Sequence, residues 1–169
     1  GDATFKDQLL KLAADPDETV RRAAIGTMHS IKDDDAVVAL LEKTMAEDAS
    51  GAVRASALTS LKSLQKTGAD AAICKAMMED ESADVRKAAV MAFRGTKRDE
   101  PIKCLRDRAF TVEEDSGVRD AMLTVLKSSP NQKAADILCE AIPFWMKNYV
   151  VEELPEKIPG TGIVQAQND

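Results

Sequence analysis

The side chains of this sequence that could do chemistry are few, and their spacing limits what each can do. His29 is the one histidine. No Ser, Cys or carboxylate constellation stands at matching spacing, so no nucleophile–base relay can be drawn around it. Cys74, Cys104 and Cys139 form no CxxC pair and have no histidine nearby, which argues against a zinc site. Each cysteine falls within an apolar helical pattern and is expected to be a small buried hydrophobe. Their odd number also argues against a disulfide-stapled module. Carboxylates and arginines, by contrast, recur as pairs: Asp15/Arg21, Asp48/Arg54, Asp80/Arg86 and Glu113/Arg119. Catalysis needs one converged site and not four copies, so these pairs are read as structural. An arginine fork can bond carboxylates and main-chain carbonyls of its own and the next copy, which would make two parallel ladders. No catalytic residue, metal or cofactor is expected.

The elements that must position these pairs follow from their recurrence. Each pair lies in a segment ending Val-Arg, and the anchors Val20, Val53, Val85 and Val118 stand 33, 32 and 33 residues apart. Self-similarity at such a period signals repeat architecture. Three residues before each anchor stands a good helix N-cap: Asp17, Ser50, Ser82 or Asp115. Small and apolar residues then recur at offsets 0, +3, +4 and +8, which trace one helix face. In the first unit these are Val20, Ala23, Ala24 and Met28, and in the third Val85, Ala88, Ala89 and Phe93. Another amphipathic helix precedes each capped turn, over 4–14, 35–47, 69–79 and 100–112. A fifth, over 132–142, follows the Pro130-Asn131 break. No β-type alternation competes. The predicted fold is all-α: an α-solenoid of antiparallel helix pairs, with about four to five repeats of 32–33 residues.

The ankyrin and tetratricopeptide signatures that share this period are absent. The runs Asp15-Pro-Asp-Glu-Thr-Val-Arg-Arg-Ala-Ala24 and Asp80-Glu-Ser-Ala-Asp-Val-Arg-Lys-Ala-Ala89 instead resemble the short bacterial HEAT repeat, also called phycobilin-lyase-like. The resemblance covers about residues 4–142. It implies a right-handed, armadillo-type superhelix whose second helices line the concave side. It also implies a non-catalytic scaffold for a partner protein or peptide. An alternative within the family is an accessory of a lyase-type enzyme acting on a tetrapyrrole or protein substrate. One departure is visible: the usual Leu-Gly-x-Ile-Gly-Asp ending of the second helix is missing, so looser or longer turns between repeats are expected.

A second recurrence lies on the second helices. At anchor +9 stand His29, Lys62, Arg94 and Lys127, and at +2 stand Arg22 and Lys87, beside Ala55 and Asp120. These offsets are seven residues apart and share a helix face. Between them, at +5, lie Ile25, Leu58, Val90 and Leu123. One reading is a groove with a basic ridge and an apolar stripe, suited to an acidic, partly apolar peptide. The other is a solvated face whose +5 residues pack between repeats.

From residue 143 the pattern changes. Phe144, Trp145 and Tyr149 begin a segment in the second-helix slot of a fifth unit, where Glu152 follows Val151 in place of arginine. Residues 143–154 are read as a capping helix that closes a domain of residues 1–154. An exposed aromatic docking patch or dimer contact is the alternative. Pro155, Pro159, Gly160 and Gly162 make 155–169 an irregular tail or linker.

Composition bounds the rest. With 44% hydrophobic and 31% charged residues, the 169-residue chain is globular and soluble. A net charge of −6 excludes a whole-molecule basic field for nucleic acid. No apolar run approaches the roughly 18 residues of a membrane span. The chain opens Gly1-Asp2-Ala3 with no targeting segment, so either a cytoplasmic location or export with the leader removed is expected.

Overall fold

The computed structural model describes residues 2–64 and 69–149. Among them are nine α-helices and one 3₁₀ turn, with no strand. The order is α1 (Asp2–Leu12), α2 (Glu18–Thr27), the 3₁₀ turn Met28–Ser30, α3 (Asp35–Glu47), α4 (Gly51–Ser63) and α5 (Asp70–Glu79). Then come α6 (Ala83–Ala92), α7 (Asp99–Ala109), α8 (Ser116–Ser128) and α9 (Gln132–Tyr149). Odd-numbered helices are the first members of their repeats, and even-numbered helices the second.

The second helices begin where the capping residues predict. Asp17, Ser50, Ser82 and Asp115 are the N-caps of α2, α4, α6 and α8, each with extended backbone. Asp17 accepts from the Thr19 N–H, and Asp115 from the Val118 N–H. The acid two residues before each cap accepts the cap's own N–H: Asp15, Asp48, Asp80 and Glu113 do so at 2.8–2.9 Å. Each turn into a second helix is thus closed by side-chain acceptors that satisfy otherwise orphaned donors.

The +8 residues Met28, Leu61, Phe93 and Leu126 are buried in one continuous core, as are Val53, Val85 and Val118. Val20 is only half-buried, because no earlier second helix stacks on α2. Along the second-helix layer α2, α4, α6 and α8 pack closely, whereas neighbouring first helices touch little. Small residues permit the close layer: Ser60 Oγ, on α4, donates to the Ile25 carbonyl of α2 at 2.9 Å in a buried bond. A two-layer stack bends toward its closer layer, which puts the second helices on the inner side. The architecture is an α-solenoid.

Three expectations are corrected. The turns between repeats that are described in full are short: residues 31–34 carry Asp33 at φ 56°, and residues 93–98 carry Gly95 at φ 70°, while residues 65–68 of the turn between α4 and α5 lie outside the described residues. Gly95 suits that left-handed position, which has no cost for a residue lacking Cβ. Residues 143–149 do not start a new helix but continue α9 through Pro143. The proline removes one helical hydrogen bond, yet the buried stripe Ala134, Ile137, Ala141 and then Trp145 runs unbroken at helical spacing and holds the segment. The third correction concerns the cysteines. Cys74 on α5 and Cys104 on α7 form a disulfide with Cα atoms 5.9 Å apart, and Cys139 is exposed with a free thiol. Spacing along the chain could not disclose the pairing, because stacking of consecutive first helices brings residues 30 apart face to face. The tail 155–169, and 150–154 of the expected capping helix, lie outside the described residues.

Candidate functional site

Two repeated constellations of charge occupy the second-helix layer, and they differ in burial. The first is the arginine–acid ladder. Arg21 Nε and Nη2 donate to both oxygens of Asp48 at 2.9 and 3.0 Å, while Nη1 donates to the Asp15 and Pro16 carbonyls. Arg54 repeats the pattern on Asp80 at 2.9 and 2.8 Å and on the Asp48 carbonyl. Arg86 repeats it on Glu113, at 2.8 Å to each oxygen, and on the Asp80 carbonyl. Arg119 donates to the Glu113 and Glu114 carbonyls at 2.7 Å. Each guanidinium therefore locks its own turn through carbonyls, and those of Arg21, Arg54 and Arg86 also grip the carboxylate of the next repeat. Arg21 holds the Asp48 carboxyl below the usual carboxylate range, mainly through its hydrogen bonds. These groups are spent on one another and leave a ladder that holds repeats in register.

The second constellation is the basic face. Arg22, His29, Lys87, Arg94 and Lys127 are exposed, and Lys62 is half-buried. The residues between them do not form an apolar stripe: Ile25, Leu58 and Val90 are fully buried and Leu123 is partly covered. Close packing of successive second helices consumes them. The face is polar, made of cations separated by hydroxyl residues such as the exposed Thr27, Thr59 and Thr124. His29 is held at the end of α2, its Nδ1 2.7 Å from the Gly26 carbonyl. Burial lowers the Lys62 pKa first, and the nearby Arg98 charge adds to it, against a smaller opposing effect of Asp70.

The charge is sorted by layer. Each of α2, α4, α6 and α8 carries more Lys and Arg than Asp and Glu, and none of the five first helices does. Four of those cations, Arg21, Arg54, Arg86 and Arg119, belong to the ladder, so the basic face rests on the exposed Arg22, Lys87, Arg94 and Lys127 with the half-buried Lys62. Of the two readings that the sequence left open for their apolar neighbours, the one found for Ile25, Leu58 and Val90 is packing between repeats.

The comparison with protein families agrees with this geometry. The family model for HEAT repeats matches residues 1–62 and 71–143. The chain belongs to the HEAT-repeat family. No curated protein matches it. HEAT repeats commonly serve as protein-interaction scaffolds, through the extended inner surface that stacking creates.

The far end of this HEAT array is closed by aromatics. Trp145 Nε1 donates to the Ala109 carbonyl at 2.8 Å, which satisfies an orphan acceptor at the end of α7. Phe144 packs on Phe110 with ring centroids 5.9 Å apart, and Arg106 lies over Phe110. Phe144 and Trp145 of α9 are partly buried against the fourth repeat, while Ile142 and Met146 are exposed. The Tyr149 side chain lies outside the described residues. Among the described residues no group of three or more His, Cys, Asp or Glu could hold a metal ion, and no helix is long and apolar enough to cross a membrane.

Proposed function

We propose that this HEAT-repeat chain is a non-catalytic scaffold that takes an acidic segment of a partner protein along its inner face. The observation that carries the reading is the recurrence of cations outside the ladder, Arg22 and Lys87 at one repeat position and Lys62, Arg94 and Lys127 at another, in a chain of net charge −6. Lys62 and Lys127 lie in the last turns of α4 and α8, and Arg94 stands at the same repeat position just past the end of α6. Stacked helices lie about 8–10 Å apart, and an extended chain advances about 3.3 Å per residue. A peptide with a carboxylate at every third residue meets that spacing. The hydroxyl residues between the cations favour a polar, hydrogen-bonding segment over an apolar helix. This departs from the amphipathic ligand expected from sequence, since the +5 residues are inside the core.

The test is fluorescence anisotropy with a labelled glutamate-rich peptide, on the wild type and on Lys62→Glu/Arg94→Glu/Lys127→Glu. Circular dichroism checks that the variant keeps its helix. Wild type is expected to bind with an affinity that falls as salt rises, because exposed charges are screened. The variant is expected to lose at least about tenfold, or roughly 1.4 kcal/mol. Equal binding by both, or a salt-independent affinity, overturns the reading.

A further inference from the structure

The outer layer of the stack is looser than the inner one, and among the described residues one of its seams carries a covalent bond. On the inner side α6 packs tightly on α8; on the outer side the partners α5 and α7 touch little. Between α5 and α7 runs an open groove of about 570 Å³, whose lining includes Asp70, Lys75, Glu79, Glu100, Lys103 and Asp107. Six charged groups keep such a groove hydrated. At one end the two repeats are tied by the Asp70–Arg98 ion pair, and at the other by the Arg86–Glu113 pair. Between these ends the tie is covalent: the Cys74–Cys104 disulfide. Its sulfurs belong to residues that line the groove, Cys74 half-buried and Cys104 8% exposed.

We infer that Cys74–Cys104 is a reversible thiol–disulfide site, and that its state sets how far the third and fourth repeats open on the outer side. The site takes a small thiol or dithiol as co-reactant. A thiolate enters from the groove and attacks the Cys74 sulfur. A mixed disulfide forms and Cys104 leaves as thiolate, which takes up a proton. A second thiol attacks the mixed disulfide, releases Cys74 as a thiol and leaves as the oxidised co-reactant. Two electrons pass to the cysteine pair. Oxidation by a small disulfide runs the same steps in reverse. With the bond open, the seam keeps its ion pairs at the ends only. The helix pairs α5–α6 and α7–α8 then pivot about the tightly packed α6–α8 contact, and the outer groove widens. The bond thus acts as a clamp on curvature. The inference does not depend on the nature of any partner, and its readouts involve none.

The experiment uses the whole chain, oxidised with glutathione disulfide and then reduced with dithiothreitol without denaturant. Three readouts are taken in each state: thiols reactive to a maleimide, circular dichroism, and small-angle X-ray scattering. One reactive thiol, Cys139, is expected in the oxidised chain and three in the reduced one. Helix content is expected to stay the same, while the scattering curve shifts to a longer maximum dimension on reduction. Cys74→Ser/Cys104→Ser is expected to scatter like the reduced wild type in both conditions. If that variant does not fold, the reduced wild type supplies the open state. Three reactive thiols after oxidation overturn the inference. So does a bond that dithiothreitol cannot reach in the folded chain, or one whose cleavage leaves the scattering unchanged.

Discussion

Arg54 is the deepest of the three arginines seen to grip the next repeat, and it separates buried from exposed charge most cleanly. Its side chain is 7% exposed and that of Asp80 9%, with two hydrogen bonds between them. Removing one partner of a buried pair strands the other without solvation. Arg54→Ala is therefore expected to cost about 3–5 kcal/mol in urea unfolding. Arg106 and Glu140 also pair, but at 53% and 51% exposure. Arg106→Ala is expected to change stability by no more than about 1 kcal/mol, the worth of a surface pair. Equal costs at both sites would contradict this account. Asp48 adds a pH dependence. Arg21 depresses its carboxyl in the folded state, so its stabilisation is complete above the ordinary value of 3.8 and is lost as pH falls through the lower folded value. Asp48→Asn, which cannot ionise, is expected to flatten the acid limb of a stability-versus-pH curve below about pH 4. The ladder residues were legible in the sequence because they recur. Which carboxylate each arginine grips was not, since that depends on how one repeat sits on the next.

At the level of elements, the second helices approach closely enough for one glycine to matter. A Cβ on Gly51, at the start of α4, would lie 2.9 Å from the Cβ and 2.8 Å from the Oγ of Ser82 at the start of α6. Alanine favours a helix over glycine by up to about 1 kcal/mol. Here the overlap outweighs that gain, because the Ser82 Cβ is fixed to the backbone and cannot swing aside. Gly51→Ala is expected to lower the urea midpoint. The double variant Gly51→Ala/Ser82→Gly is expected to recover most of the loss, since glycine at an N-cap costs only a few tenths of a kcal/mol. Additive effects would mean that the two helix starts do not touch. Helix identity was readable from caps and period. The fate of Pro143 was not: local backbone preference argues for a break, and packing of Ile137, Ala141 and Trp145 on the fourth repeat prevails.

In the molecule as a whole, each repeat contacts only its neighbours, so stability is greatest where both sides are covered. Amide hydrogen exchange is expected to be slowest in α4 and α6, which have second helices on both sides, and fastest in α1 and α9. Uniform protection would mean that the array unfolds as one unit. The amino-acid order alone specified the repeat period, the helix pairs, the capped turns and the family resemblance, because those rest on spacing within some 33 residues. Three matters were settled only when the repeats stacked. Ile25, Leu58 and Val90 went into the core and left cations and hydroxyls as the main groups of the inner face. Cys74 met Cys104. The carboxylates fell mostly on the first helices, while lysines and arginines are divided between the two layers. Each is a relation between neighbouring units. A side chain's offset within its own helix says which way it points, and only the packed neighbour says whether it meets water, sulfur or another helix.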